Sequence, residues 1–286
     1  MPPRHIAVWT MVGSAMVFAV MSALLRHASY LTSYQASFFR FTIGLAILGS
    51  MALFGKIKLE FSQHLILFSR GFFGGIGVFL FFFSIQKIGL GEGTVLSYTF
   101  PVFGTIASAI YLKEKVNLKQ WLLIFLSFFG IYLISHQGEG WLFRISLYHW
   151  VALLGALSSG IAVVFIKKAR STNSAYTIYL SQCLVGFWLV ILPASLEPLN
   201  IRLGGGLILV AIGLCSAVAQ LMMTHAYGYL SVSAGSTISM LVPVFNLLLG
   251  VLLFRESFSL KIALGATLVI VSCSLMLKAQ ETPTPP

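Results

Sequence analysis

Gly91–Leu112 reads GEGTVLSYTFPVFGTIASAIYL: one carboxylate, Glu92, at the mouth, then twenty residues without a charge and a proline, Pro101, near their middle. Twenty residues of helix are about what a ~30 Å hydrocarbon layer requires. Runs of this kind recur along the chain. They are Ile6 to Leu25, Ser33 to Phe54, Leu65 to Ile88, Gly91 to Leu112, Lys119 to Ser135, Ser146 to Ile166, Ala175 to Pro193, Gly206 to Tyr227, Val232 to Phe254 and Leu260 to Leu277, here spans 1 to 10. A composition of 58% hydrophobic and 9% charged residues lies far from the soluble balance, and the spacing of the runs excludes a single large soluble core. Spanning strands would be about ten residues long and would alternate in polarity. Val78 to Phe83 shows no alternation, so an all-α integral membrane protein with ten transmembrane helices is expected.

The first run follows Arg4 much as a signal peptide would, but it is as long as a full span and no small-residue cleavage site follows it, so a retained helix is expected. The net charge of +11 comes from basic residues in short loops and does not call for nucleic acid. With the N-terminus cytoplasmic, that side carries Arg4, Lys56, Lys58, Lys113, Lys115, Lys119, Lys167, Lys168, Arg170 and Lys278. The other side carries Arg26, Lys87, Arg144, Arg202, Arg255 and Lys261. Basic loops stay inside, so both termini are placed in the cytoplasm of a bacterial inner (plasma) membrane. Cys183, Cys215 and Cys273 fall within spans and have neither metal-site nor disulfide spacing. Residues 281–286, rich in Pro and Thr, read as a disordered tail.

The chain repeats itself. Displaced by 142 positions, Gly93 falls on Gly235, Ser97 on Ser239, Pro101-Val102-Phe103 on Pro243-Val244-Phe245, Glu114 on Glu256 and Lys119 on Lys261. Residues 1–142 (spans 1–5) and 143–280 (spans 6–10) are therefore two copies of one unit. Pro101 and Pro243 are the prolines set deep in spans, and each should kink its helix. Five passes per unit is an odd number, so the second copy enters the membrane from the opposite side. Inverted repeats around a central site are the architecture of secondary carriers working by alternating access; duplication also builds channels and scaffolds, which remain the alternative of another class.

Phe39-Arg40-Phe41 in span 2, Arg70-Gly71 opening span 3, a proline in spans 4 and 9, and an acidic residue beyond each (Lys113-Glu114, Arg255-Glu256) resemble the EamA family of the drug/metabolite transporter superfamily, over Ala7 to Leu277. The resemblance implies a ten-helix carrier whose cavity is lined mainly by spans 1, 3, 4, 6, 8 and 9 and moves small organic solutes. Amino acids and related metabolites are the cargo it suggests first. S-adenosylmethionine uptake is the alternative, since the Phe-Phe-Arg-Phe and Arg-Gly elements also resemble that subgroup. The halves differ at two positions: Gln182 stands opposite Arg40 and Ile212 opposite Arg70, so charge-based recognition would be asymmetric.

Charge inside hydrocarbon costs at least ~2.5 kcal/mol, which makes Arg40 and Arg70 candidate substrate contacts against the alternative that they snorkel to the interface. Thr94, Ser97 and Tyr98 share a helix face with Pro101, and Pro101 frees the carbonyl of Ser97. Ser236, Ser239 and Pro243 repeat the pattern. Gln220 needs partners at mid-membrane, either substrate or a neighbouring helix. His225 titrates near neutrality and could relay a coupling proton, the alternative being an interfacial role. Glu114 and Glu256 read as gate or helix-end latches. Gly71, Gly74, Gly75 and Gly77 read as packing positions.

No enzyme motif is present. Gly89-Leu90-Gly91-Glu92-Gly93 lacks the Lys-Ser/Thr of a P-loop, there is no His-Glu-x-x-His or Gly-x-Ser-x-Gly, and no cofactor or metal is called for. A small solute and the lipid bilayer are the partners expected.

Overall fold

The computed structural model describes residues 4–28, 31–135, 146–196, 205–254 and 259–279, with only the backbone course at 89–92. Its helices are α1 (Arg4–His27), α2 (Ser33–Leu53), α3 (His64–Ser97), α4 (Phe100–Tyr111), α5 (Leu118–Ser135), α6 (Leu147–Ala169), α7 (Ala175–Ser195), α8 (Gly205–Ala226), α9 (Val232–Ser239), α10 (Leu241–Phe254) and α11 (Leu260–Ala279). Among the described residues nine stretches are long and apolar enough to cross a bilayer, and the shorter Leu118–Ile134 supplies a tenth pass. The protein is a multi-pass membrane protein.

Two boundaries differ from the sequence reading. Spans 3 and 4 share the helix α3, which continues through the turn between them. It is not a straight rod: a Cβ built on Gly93 would lie 3.1 Å from the Ile85 Cα, whereas eight residues of straight helix separate Cα atoms by about 12 Å. The chain doubles back over Gly93, where a side chain would meet that backbone. The second difference is at the prolines. Instead of kinking a continuous helix, each span breaks: α3 ends at Ser97 and α4 starts at Phe100, with Pro101 in its first turn; α9 ends at Ser239 and α10 starts at Leu241, with Pro243 following. Proline lacks an N–H and disfavours helical backbone in the residue before it, but is well placed in a first turn. The caps that close the two upper pieces, Tyr98 and Met240, are 142 positions apart.

The same displacement carries Ser33–Leu53 onto Ala175–Ser195, so α2 and α7 are equivalent elements. They pack face to face: the Phe38 ring lies tilted against Phe187, Phe41 fills the space left by Gly186, and Gly44 faces Cys183 and Tyr179. Rising numbers on α2 meet falling numbers on α7, so the pair runs antiparallel. The α3–α6 contact (Phe73 carbonyl accepting from Ser158 Oγ at 2.8 Å, Leu80 against Gly155) has its counterpart in α8–α1, where Ser14 Oγ donates to the Ala219 carbonyl at 2.7 Å. Away from the centre, α5 and α11 cross at Gly130 and Gly265, where a Cβ on either would lie 2.6 Å from the other's carbonyl oxygen.

The outer surface is apolar, as lipid demands: Trp9, Leu53, Ile110, Trp188, Leu207 and Leu252 are all exposed. The molecule has two ends. The near end gathers the start of α1, the end of α6, the end of α8 and the start of α9; the far end gathers the end of α1, the start of α2, the turn within α3 and the end of α10.

Candidate functional site

Both intramembrane arginines turn inward. Arg40 on α2 and Arg70 on the first arm of α3 are 5% and 2% exposed, so neither snorkels to an interface. Arg40 Nη2 donates to Gln220 Oε1 of α8 at 3.3 Å, its Nη1 lies 3.9 Å from Met21 Sδ, and its guanidinium sits 5.8 Å from the centre of the Phe18 ring. Arg70 Nη2 donates to Gln182 Oε1 of α7 at 2.8 Å, and Gln182 Nε2 donates to the Gly74 carbonyl at 3.2 Å. A side chain at position 74 would collide with the Arg70 guanidinium. Gly74 thus makes room for a charge, which differs from the helix packing expected of it. Its neighbours do pack: Gly71 and Gly75 meet α7 at Ser181, Val185 and Gly186, and Gly77 meets Ser159 of α6.

These groups line a cavity of about 180 Å³ between the halves, together with Ser97, Tyr98, Ser239, Phe81 and Phe100. Six of the residues singled out in the sequence therefore converge: Arg40, Arg70, Ser97, Tyr98, Gln220 and Ser239. The broken helices place the start of α4 and the start of α10 here, since Phe100 and Val242 are on the wall. Helix N-termini carry partial positive charge, adding to that of the guanidiniums. Ser97 Oγ, Gln220 Nε2 and Arg70 Nε are buried with no hydrogen-bond partner in the protein. The hydroxyl of Ser239 donates to the Gly235 carbonyl at 3.0 Å.

Toward the far end the cavity widens, past Ser22, Phe81 and Tyr98, into a vestibule of about 700 Å³ lined by Arg26, Gln86, Thr94, Pro243 and Asn246 among others. Thr94 belongs to this vestibule rather than to the inner pocket. Toward the near end the path is shut by a buried apolar cluster that includes Ala7, Met11, Leu67, Val163, Ile166, Ala226, Tyr227, Val232 and Ile238. Glu114, beyond the end of α4, reaches across the halves: its Oε1 and Oε2 accept from the backbone N–H of Val232 at 3.2 and 3.1 Å, capping α9. An anion at a helix N-terminus is favourable, and here it ties α4 to α9 at the sealed end.

Two sequence candidates are not brought to the cavity. Ser236 is fully buried in α9 and bonds the Tyr227 hydroxyl at 3.1 Å, inside the near-end seal. His225 is half-buried in the last turn of α8, its ring 5.4 Å from that of Tyr229. Both lie below the pocket because α8 and α9 meet there. Glu256 lies outside the described residues, as does the tail. Gln182 was noted in the sequence only as a departure from the repeat, yet it holds Arg70; a lone amide within span 7 was the signal.

A family model described as EamA-like transporter family matches residues 5–136 and again residues 146–278. The chain is 25% identical over 274 residues to the pseudopaline exporter CntI of Pseudomonas aeruginosa, with 94% of each chain covered. It is 24% identical over 286 residues to a riboflavin transporter of Vibrio cholerae (96% of this chain, 93% of the other). It is 22% identical over 256 residues to an S-adenosylmethionine uptake transporter of Rickettsia bellii (88% and 85%). A solved crystal structure shares the fold with a TM-score of 0.78 over 98% of this chain and 99% of that one, at 17% identity.

Proposed function

The chain belongs to the EamA-like transporter family, whose members are transporters and not enzymes, and from that premise we propose that it is a secondary carrier moving a small organic metabolite across the inner (plasma) membrane by alternating access. The observation that carries the reading is the polar pocket at the junction of the two halves, open through a vestibule at one end and closed by apolar packing and the Glu114 cap at the other. A carrier needs such one-sided access, whereas a channel needs a continuous path. Placing the near end in the cytoplasm, as the basic loops favour, makes this the outward-open state.

In the proposed cycle the solute enters from the far end and settles against Arg40, Gln220, Ser97 and Tyr98. The halves then rock so that the far end closes and the near-end cluster parts. The break at Tyr98 and the matching break at Met240 are the points at which the upper and lower pieces can tilt separately.

Counterflow in proteoliposomes tests the reading. Vesicles loaded with a mixed pool of amino acids, nucleosides, flavins and S-adenosylmethionine should accumulate at least one labelled member in a saturable way. Tyr98→Ala or Gln220→Ala should reduce that exchange while the protein still elutes as a folded species. Flux that never saturates identifies a channel instead.

A further inference from the structure

We propose that the cargo is a small organic anion, whose carboxylate or phosphate oxygens are received by the Arg40 and Arg70 guanidiniums and whose apolar part lies among Phe18, Phe81, Tyr98 and Phe100. The assignment rests on the carrier reading of the same cavity and narrows it to a chemical class.

The argument begins with an imbalance of charge. The chain has no aspartate and seven glutamates, and among the described residues the two whose side chains are placed, Glu60 and Glu114, do not line the inner pocket. Two guanidiniums nonetheless sit there, buried, on the wall of the same small cavity. Buried charges in proteins are ordinarily matched by a countercharge, and a pair of the same sign in a low-dielectric wall is unfavourable until one arrives. Their partners in the protein are neutral amides, Gln220 and Gln182.

Hydrogen bonding shows the same bias. Each guanidinium has five N–H donors in a planar fork matched to a carboxylate or phosphate edge. Arg70 Nε and the Gln220 amide nitrogen are buried donors with no acceptor in the protein, and Ser97 Oγ joins them as a hydroxyl free to donate. The amide oxygens of Gln220 and Gln182 are already engaged by the arginines and Gln182 Nε2 donates to the Gly74 carbonyl, which leaves the Gln220 nitrogen as the amide group on offer. The start of α4 adds the positive end of a helix. The wall is rich in donors and positive charge and poor in acceptors. A cationic solute would find like charge and few acceptors, the Ser97 carbonyl and hydroxyl among them; an oxyanion would satisfy both deficits. The rings nearby set a mostly apolar remainder.

Head groups on one scaffold give the test. Delipidated protein in detergent is melted in the presence of benzoate, phenyl phosphate, benzamide or benzamidine, which share a phenyl ring and differ in charge. The same compounds are offered in counterflow. Benzoate or phenyl phosphate, or both, should raise the melting temperature and exchange, and the one that acts more strongly identifies the head group. Arg40→Gln and Arg70→Gln should each weaken that effect roughly tenfold or more, as loss of a charge-assisted hydrogen bond does. Arg40→Lys and Arg70→Lys, which keep the charge but lose the fork, serve where the glutamine variants fail to fold, and should weaken it less. Lys56→Gln, an exposed charge away from the pocket, should change nothing. Equal or stronger effects of benzamide or benzamidine, no effect of either anion, or anion effects that survive in the arginine variants overturn the assignment. Saturable exchange confined to neutral or cationic solutes overturns it while leaving the carrier reading intact; anion binding without exchange of any solute leaves the site and removes the carrier. Stabilisation by added phosphatidylglycerol that neither free anion reproduces assigns the arginines to a lipid head group and overturns the cargo assignment.

Discussion

Arg70 donates to Gln182 across the boundary between the halves at 2.8 Å, and Gln182 occupies the position that the internal repeat makes equivalent to Arg40. The second half therefore answers the first half's charge with an amide. Both cations come from α2 and α3, and both of their amide partners come from α7 and α8. The pocket is built from a repeat, but its electrostatics are not repeated.

Gln182→Glu would set a carboxylate where the amide oxygen now meets Arg70. An internal ion pair would then replace the one the cargo is proposed to make. The expected outcome is a loss of exchange of roughly tenfold with folding retained, read by counterflow at several solute concentrations. An unchanged half-saturation concentration would show that Arg70 does not meet the solute.

Glu114→Gln removes the charge that caps α9 at the sealed end. The neutral amide accepts more weakly, so the near-end seal should open more often. With Cys183, Cys215 and Cys273 replaced by Ala or Ser, a cysteine at position 163 reports on that seal. Its labelling from the near end should rise several-fold in the Glu114→Gln background, and equal rates in both backgrounds would dissociate this cap from gating.

Gly130→Ala places a methyl group 2.6 Å from the Gly265 carbonyl, a backbone atom that cannot swing aside. Overpacking of this kind costs about 1–3 kcal/mol. A lower melting temperature in detergent is expected, with affinity for the cargo little changed, because α5 and α11 cross outside the pocket. A melting temperature equal to the parent's would mean that these helices do not cross so tightly.

Cysteines at Lys56 and Lys87 fix the orientation. Both side chains are exposed, one beyond α2 at the near end and the other late in the first arm of α3 at the far end. An impermeant reagent applied to intact cells should label the second and spare the first. Labelling of Lys56→Cys alone would reverse the assignment of the vestibule.

Much of this architecture is legible in the sequence because lipid removes the usual ambiguity. A run of twenty uncharged residues has few fates, and paired prolines in a repeat mark where two spans are disturbed, although a kink is expected from the sequence and a break is what forms. The inward course of Arg40 and Arg70 follows from the same cost that made them conspicuous. What could not be read is which apolar residues meet each other. Met11, Leu67 and Val163 close the near end, while Trp9, Leu65 and Leu154 face outward, and nothing in their chemistry separates the two groups. Ser236 and Ser239 show the same limit among hydroxyls. They are three residues apart on one helix face, yet one is consumed by Tyr227 and the other reaches the pocket wall, because the partner helix decides.

The matched breaks at Tyr98 and Met240 bear on transport kinetics. One presents a phenol to the pocket and the other a fully buried thioether, so in the proposed cycle the two rocking motions would exchange different surfaces and their end points would differ in free energy. A carrier whose unloaded form rests mainly on one side shows tighter apparent binding on that side, in proportion to its occupancy. The final concentration ratio, set by the driving gradient alone, is untouched. Half-saturation measured from opposite faces of oriented vesicles should therefore be unequal.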